Sequence, residues 1–466
     1  MTSVKYLFEP KQVALIGSSK LQEKVGMTSP QLFESIIYNM RKYFKGKIIT
    51  IDIDGNHSSK LQEEKPELAV IMLPPDLSIH QAEKCAEAGV TALVMITGGY
   101  KNHQRQQLIQ LRKEYGTRIL GPNTIMGVIN TVNGLNTTFE KDTMPTEGNI
   151  SIVSQSGGVG ACLLDWACFY NIGISKFAFM GDKIDVNDVD LLEYFSEDPK
   201  TKVICLYMEG IENGRKFIEI AQKVVKTKPV LAVKGGITRE AAQRALSHTA
   251  SFAGTDEIFD AAFKKAGIIR TGDIEELLNA AIALSKQPPL KGDNIAIVSN
   301  VGGPAILAAD AVAKNGLRLA TLSEATKKEI ETRYPGVEAS NPIDIIADAR
   351  AERYVTVLRH ILADPHVDGV MVINMLKSTF FEPEDVLAIV KAAKEYPQKP
   401  VVDVPAGGED FNLVHRVLEK SNIPLYNLPE KAASALKALR LYAKIVEKSE
   451  QRSLVGKRMT AENKCY

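Results

Sequence analysis

The segment Ser247-His248-Thr249-Ala250-Ser251-Phe252-Ala253-Gly254 sets one imidazole among small residues, with Arg244 and Asp256 the nearest charged side chains along the chain. Small residues let a loop move and approach other backbones closely, so His248 is carried on a segment able to travel between two sites. Histidine is among the side chains that form covalent intermediates and divide one hard step into two. A histidine by itself is more often a surface or hydrogen-bonded core residue; its company singles this one out. The apolar run Val203-Ile204-Cys205-Leu206-Tyr207-Met208 ends in Glu209-Gly210, and the carboxyl ends of parallel strands are where sites form. A glutamate there can accept a hydrogen bond from one ring nitrogen of His248, which fixes the tautomer and aims the other nitrogen outward. The alternative is a solvated glutamate at a strand end.

Three strand-to-helix turns add anion-binding chemistry. A Gly-rich turn of this kind points backbone N–H groups and the positive helix end at one spot. The turns are Leu15-Ile16-Gly17-Ser18-Ser19, Ser154-Gln155-Ser156-Gly157-Gly158 and Ser299-Asn300-Val301-Gly302-Gly303. The first lacks the full Gly-x-Gly-x-x-Gly pattern. Its acidic residues, Asp52 and Asp54, lie further on than the roughly 20-residue spacing of a dinucleotide fingerprint, so a nicotinamide dehydrogenase is weakly supported. Singly, the second and third also read as ordinary tight turns. As a matched pair they suit a phosphate or a phosphorylated side chain.

These residues need a scaffold of alternating strands and helices. Strand-like runs at Gln12 to Ile16, Lys47 to Ile51, Leu68 to Leu73 and Ala92 to Ile96 are separated by helical stretches, which predicts a parallel α/β sheet, Rossmann-like, over residues 1–130. An internal repeat follows. Ile152-Val153-Ser154-Gln155-Ser156-Gly157-Gly158 matches Ile297-Val298-Ser299-Asn300-Val301-Gly302-Gly303, and Lys228-Pro229-Val230 matches Lys399-Pro400-Val401. Asp198-Pro199 and Asp364-Pro365 precede equivalent strand runs. The repeat predicts two copies of one α/β domain, about 145–285 and 291–446, with Pro288-Pro289 between them and a loose polar tail over 447–466.

Size and composition agree. At 466 residues the chain is expected to form about three domains. Lys+Arg number 57 against Asp+Glu 56, with no block of like charge, which argues against a nucleic-acid partner. No run of about 18 apolar residues predicts a membrane span, and Met1 to Pro10 carries no signal-peptide pattern. Cys85, Cys162, Cys168, Cys205 and Cys465 are scattered without Cys-x-x-Cys spacing; reduced thiols in a cytoplasm are expected, and no zinc or other metal site.

Gly17-Ser18-Ser19, Gly121-Pro122-Asn123, Ser154-Gln155-Ser156-Gly157-Gly158, Tyr207-Met208-Glu209-Gly210, Ser247-His248-Thr249 and Asn300-Val301-Gly302-Gly303-Pro304 together resemble the nucleoside-diphosphate-forming acyl-CoA synthetases of the succinyl-CoA synthetase superfamily. The likeness, most of all to alpha subunits of the ADP-forming acetyl-CoA synthetases, runs from about residue 5 to about residue 445. It implies an N-terminal coenzyme A domain followed by two flavodoxin-like domains. Coenzyme A, as substrate, would meet Gly17, Ser18, Ser19, Lys24, Val25, Pro74, Ile96, Thr97, Gly98 and Asn123. His248 resembles the phosphorylated histidine and Glu209 the glutamate that steadies it. Ser156, Gly157 and Gly158, with Asn300, Gly302 and Gly303, resemble the two helix starts that hold the phosphohistidine. The implied reaction is acyl-CoA + ADP + phosphate to acid + ATP + CoA.

The departures from the family pattern are specific. Asp52-Ile53-Asp54 stands where the family often has Asn-Pro-Lys, Thr124 where it has Cys, and Ala250 where it has Gly. Three domains account for the chain, and no Gly-x-x-x-x-Gly-Lys-Ser/Thr loop is present. The resemblance therefore implies a separate ATP-grasp beta subunit carrying ADP or ATP with Mg2+, in a complex with two copies of each chain. A coenzyme A-binding regulatory or scaffold protein without turnover is the other reading. Asp52 and Asp54 favour it; His248 and Glu209 oppose it.

Overall fold

The computed structural model describes residues 4–18, 30–54, 60–238, 240–241, 256–376, 380, 382–407 and 411–462. Two compact units divide the chain, Met1–Arg270 and Thr271–Tyr466.

The first unit holds two sheets. Strands β1 (Gln12–Gly17), β2 (Lys47–Asp52), β3 (Leu68–Ile71), β4 (Ala92–Met95) and β5 (Arg118–Leu120) form a parallel sheet in the order β2-β1-β3-β4-β5. Residues 13–17, 68–71 and 92–95 are buried without alternation, as expected when helices cover both faces. The short strands β6 (Val128–Asn130) and β7 (Leu135–Asn136) then join the edge of a second sheet in antiparallel sense. Its body comprises β8 (Glu147–Ser154), β9 (Ile174–Phe179), β10 (Val203–Met208), β11 (Val230–Lys234) and β12 (Ile269–Thr271), in the order β12-β11-β10-β8-β9-β6-β7. Helix Gly214–Val224 illustrates the local logic. Asn213 caps it by accepting from Lys216 N at 3.0 Å, and Phe217, Ile220, Ala221 and Val224 form the buried stripe.

The second unit is built on β13 (Asn294–Ser299), β14 (Arg318–Leu319), β15 (Ile343–Asp344), β16 (Gly369–Met375) and β17 (Val401–Ala406). The order is β14-β13-β16-β17, with β15 also paired to β13. In the first two sheets the first parallel strand lies between the second and the third, and in the last sheet β13 lies between β14 and β16, so strand order reverses there, and the crevice at such a point is where open α/β sheets take ligands. The three Gly-rich turns follow β1, β8 and β13, at the three reversal points.

The repeat holds at the level of single contacts. Ser154 Oγ donates to Ser156 O and Ser299 Oγ to Val301 O, both at 2.7 Å. Lys228 Nζ donates to Asp198 O and Lys399 Nζ to Asp364 O, both at 2.6 Å. Ser154 pairs with Tyr207 and Ser299 with Ile373, which makes Met375 the counterpart of Glu209. Helix Ile274–Lys286, assigned to the first copy from the repeat, packs in the second unit: Asn279 O accepts from Tyr426 Oη at 2.9 Å and Glu276 Oε1 from Ser434 Oγ at 2.7 Å. Helix Pro429–Glu462 runs through most of the stretch expected as a loose tail. Composition misled there because charged and polar residues that suit a tail also propagate an exposed helix.

Where the first copy has Ala232, the second has Asp403, by the register Val153–Leu206–Ala232 against Val298–Val372–Asp403. Asp403 is fully buried, its Oδ1 accepts from Asn374 Nδ2 at 2.7 Å, and its Oδ2 has no partner among the described residues. Burial pushes this carboxyl up to about 7. The folded state therefore keeps a proton that the unfolded chain releases near pH 4. That contribution to stability is complete at low pH and is lost as pH rises through about 7, a change of roughly 4 kcal/mol at most. Asp403→Asn is expected to raise the melting temperature above pH 7 and to flatten its dependence between pH 5 and 7. Melting curves with the parental slope would show that Asp403 does not titrate there.

Candidate functional site

The carboxyl edge of the first sheet gathers most of the residues expected to meet coenzyme A. A Cβ on Gly17 would stand 2.4 Å from the Phe33 ring, so only glycine lets helix Pro30–Tyr43 close on this turn. Thr97 Oγ1 donates to Leu73 O at 2.5 Å, just before Pro74, the residue that opens helix Pro75–Glu87. Asn123 has φ +63, donates its N–H to Thr97 O at 2.8 Å and lays its amide against Gly98, where a Cβ would lie 2.6 Å from Oδ1. Gly17, Ser18, Pro74, Ile96, Thr97, Gly98 and Asn123 thus sit at the ends of adjacent strands β1, β3, β4 and β5. Ser18 Oγ donates to Asp54 Oδ2, which places a carboxylate at the turn. Ser19, Lys24 and Val25 lie outside the described residues.

The second edge is organised by Gln155. Its Oε1 accepts from Glu209 N at 2.7 Å and from Gly210 N at 3.0 Å. Its Nε2 donates to Asp188 Oδ1 at 2.6 Å and to Gly210 O at 2.8 Å. Asp188 also pairs with the buried Lys183 ammonium at 3.5 Å. Glu209, half-buried, accepts from Tyr207 Oη at 3.4 Å. Burial, with the Glu209 charge beside it, pushes the Tyr207 hydroxyl up to about 12, so it remains a donor. Lys234, at the end of β11, is buried with its Nζ 4.6 Å from the Phe259 ring centroid. Burial draws its pKa below the usual lysine value, against the pull of Asp256 and Glu209. His248 and Ala250 lie outside the described residues.

Helix Gly157–Phe169 starts at this edge. Ser156 caps it by accepting from Val159 N at 3.4 Å, and its first turn carries no acidic residue. A Cβ on Gly158 would meet nothing within 4 Å among the described residues, so their packing does not demand glycine and leaves the helix start open to a ligand. Segment 180–186 ties the two edges. Met180 N donates to Ser154 O at 3.1 Å, Asp182 N to Pro122 O at 2.8 Å and Val186 N to Ile119 O at 3.1 Å. Asn123 Nδ2 reaches Asp182 Oδ1 at 3.3 Å. Thr124, in the place of the family's cysteine, donates its hydroxyl to Phe179 O.

In the second unit, helix Gly302–Lys314 likewise begins with open glycines: among the described residues nothing lies within 4 Å of a Gly303 Cβ, and only Asp344 Oδ2, at 4.0 Å, neighbours that of Gly302. Asn300 Oδ1 accepts from Met375 N at 2.8 Å, which leaves its buried Nδ2 as a donor without a partner among the described residues. Gln155, Asp188, Lys183 and Lys234 were not anticipated as site residues. Gln155 lies within the Ser154–Gly158 turn and Lys234 at the carboxyl end of β11, and those positions were the available signal for these two.

Comparison with known proteins places the chain in a family. A succinyl-CoA ligase like flavodoxin domain matches residues 147–284 and a ligase-CoA domain residues 295–444. The alpha subunit of acetate–CoA ligase (ADP-forming) II of Pyrococcus furiosus is 36% identical over 95% of this chain and 98% of its own length. The chain belongs to the ADP-forming acyl-CoA ligases. The alpha subunit of ligase I of the same organism is 34% identical over 97% of this chain and 100% of its own length. A dinucleotide-forming acetyl-coenzyme A synthetase 1 of Ca. Korarchaeum cryptofilum, solved with phosphate and ADP, superposes with a TM-score of 0.85 at 34% identity, covering 96% of this chain and 99% of that one. Both Pyrococcus relatives are named as alpha subunits of acetate–CoA ligases. No helix among the described residues is long and apolar enough to cross a membrane.

Proposed function

We propose that this chain is the alpha subunit of an ADP-forming acyl-CoA synthetase in which His248 carries the phosphoryl group to a nucleotide site on a separate ATP-grasp beta subunit. The observation that carries the reading is the edge formed by β8, β10 and β11, where an open helix start, Glu209 and the carboxyl end of β11 come together. In the first step a phosphate oxygen attacks the thioester carbonyl of acyl-CoA. The C–S bond breaks, the sulfur takes a proton, and acyl phosphate forms. A ring nitrogen of His248 then attacks phosphorus, and the P–O bond to the acid breaks as its carboxylate leaves. Finally an oxygen of ADP's terminal phosphate attacks the phosphohistidine, breaking P–N and forming ATP. Such transfers depend on positioning and charge stabilisation, which the N–H groups of the Gly157 turn are suited to supply.

Glu209 holds the imidazole through its other nitrogen. The edge built from Gly17, Pro74, Thr97, Gly98 and Asn123 takes coenzyme A. Mg2+ belongs with the nucleotide on the partner, and two copies of each chain make the complex. The free thiols among the described residues, Cys85, Cys162, Cys168 and Cys205, suit a reducing cytoplasm. The purified chain, given acyl-CoA and phosphate, is expected to exchange label into acyl phosphate, and to support ATP formation only after the ATP-grasp partner is added. ATP formed by the chain alone would remove the division of labour.

A further inference from the structure

We propose that Gln155 is the positioning residue for Glu209, so that the geometry of phosphoryl transfer at His248 is set one layer behind the glutamate. The inference rests on the reading of Glu209 and His248 given above. Gln155 is buried, and its carboxamide is saturated: Oε1 accepts two hydrogen bonds and Nε2 donates two. Three of the four go to the backbone of Glu209 and Gly210, including the N–H of the residue that bears the carboxylate. The fourth goes to Asp188, at the start of helix Asp188–Glu197, where Asn187 caps by accepting from Val189 N at 2.9 Å. Asp188 is itself held by Lys183. The strand end that carries Glu209 is therefore pinned from both its N–H and C=O sides to a buried ion pair.

The second copy of the repeat shows what is particular to the first. There Asn300 Oδ1 accepts from Met375 N, the counterpart of Glu209 N, but Asn300 Nδ2 grips nothing among the described residues. Both halves use the turn amide to hold the neighbouring strand end. Only the first, whose strand end carries an acid, locks that end on both sides. A misplacement of about 1 Å at a reacting group lowers rates by about 10²-fold, and removal of the Gln155 clamp permits such a shift.

The test uses the complex with its partner and follows phosphohistidine formation from ATP. Gln155→Met keeps the length and removes all four hydrogen bonds. The rate of phosphorylation is expected to fall by about 10- to 100-fold with the KM for ATP unchanged. Gln155→Glu guards against a variant that fails to fold. Its Oε1 still accepts both N–H groups, but its second oxygen faces Gly210 O and Asp188 Oδ1, so it fits only as the protonated acid. The charged groups around it are Asp188, Lys183 and Glu209. This variant is expected near the parental rate at low pH and progressively slower as pH rises, by tenfold or more between pH 6 and 9, a profile that a general loss of stability does not give. Parental rates in both variants, with His248→Asn inactive, would overturn the role of Gln155 and leave the phosphohistidine reading standing. An active His248→Asn complex would overturn the reading itself, and the role of Gln155 with it.

Discussion

Replacing His248 by asparagine is expected to lower ATP formation by the assembled complex by a factor on the order of 10⁴ or more, the scale seen when a covalent catalytic group is removed. Asparagine keeps a polar side chain of similar reach on the same loop but has no nitrogen able to take a phosphoryl group. The partial reaction that precedes the histidine, formation of acyl phosphate from acyl-CoA and phosphate, is expected to survive, because in the proposed mechanism coenzyme A and phosphate meet the Gly17 and Gly157 turns rather than the imidazole. The two halves of the experiment separate a loss of chemistry from a loss of structure. Coupled assay of ATP, beside label exchange between phosphate and acyl phosphate, measures both.

The second large effect is expected at Glu209. Glu209→Gln preserves shape, and its amide keeps the backbone contacts to Gln155, since those use the Glu209 N–H rather than the side chain. In the proposed mechanism what is lost is the negative charge that steadies the imidazole and stabilises the dipolar form that develops as the other nitrogen attacks phosphorus. Removal of one oriented electrostatic partner lowers rates by about 10²–10³, and that loss is expected in phosphohistidine formation, with coenzyme A binding unchanged. Rapid-quench measurement of the phosphorylated chain tests it. A variant that is phosphorylated at the parental rate would show that Glu209 only closes the strand end.

The parts of this site that were legible in the sequence share a physical cause. A strand that must be buried on both faces is a continuous apolar run, so the residue that breaks the run is displayed. Glu209 and the three Gly turns were visible for that reason. The repeat was visible because two copies of one domain keep the same punctuation, and Lys228 and Lys399 even donate to the same backbone position. Gln155 was hidden in plain view within one of those turns. Its role depends on where β10 lies beside β8, a pairing between residues far apart in the chain. Asp403 was equally hidden, because a single acid in a strand reads as exposed until the sheet is closed over it. The helix continuing to Glu462 and the small strands β6 and β7 have compositions common to helix, strand and loop alike, so only tertiary packing decides them.

The central claim is that phosphate travels on His248. The most direct measurement is to incubate the complex with γ-labelled ATP, quench in alkali and map the label by mass spectrometry under non-acidic conditions. The expected result is one labelled site per chain, at His248, stable in base, lost in acid, and discharged on adding either ADP or the acid with coenzyme A. Label at another residue, or steady ATP synthesis without any phosphorylated chain, would contradict it.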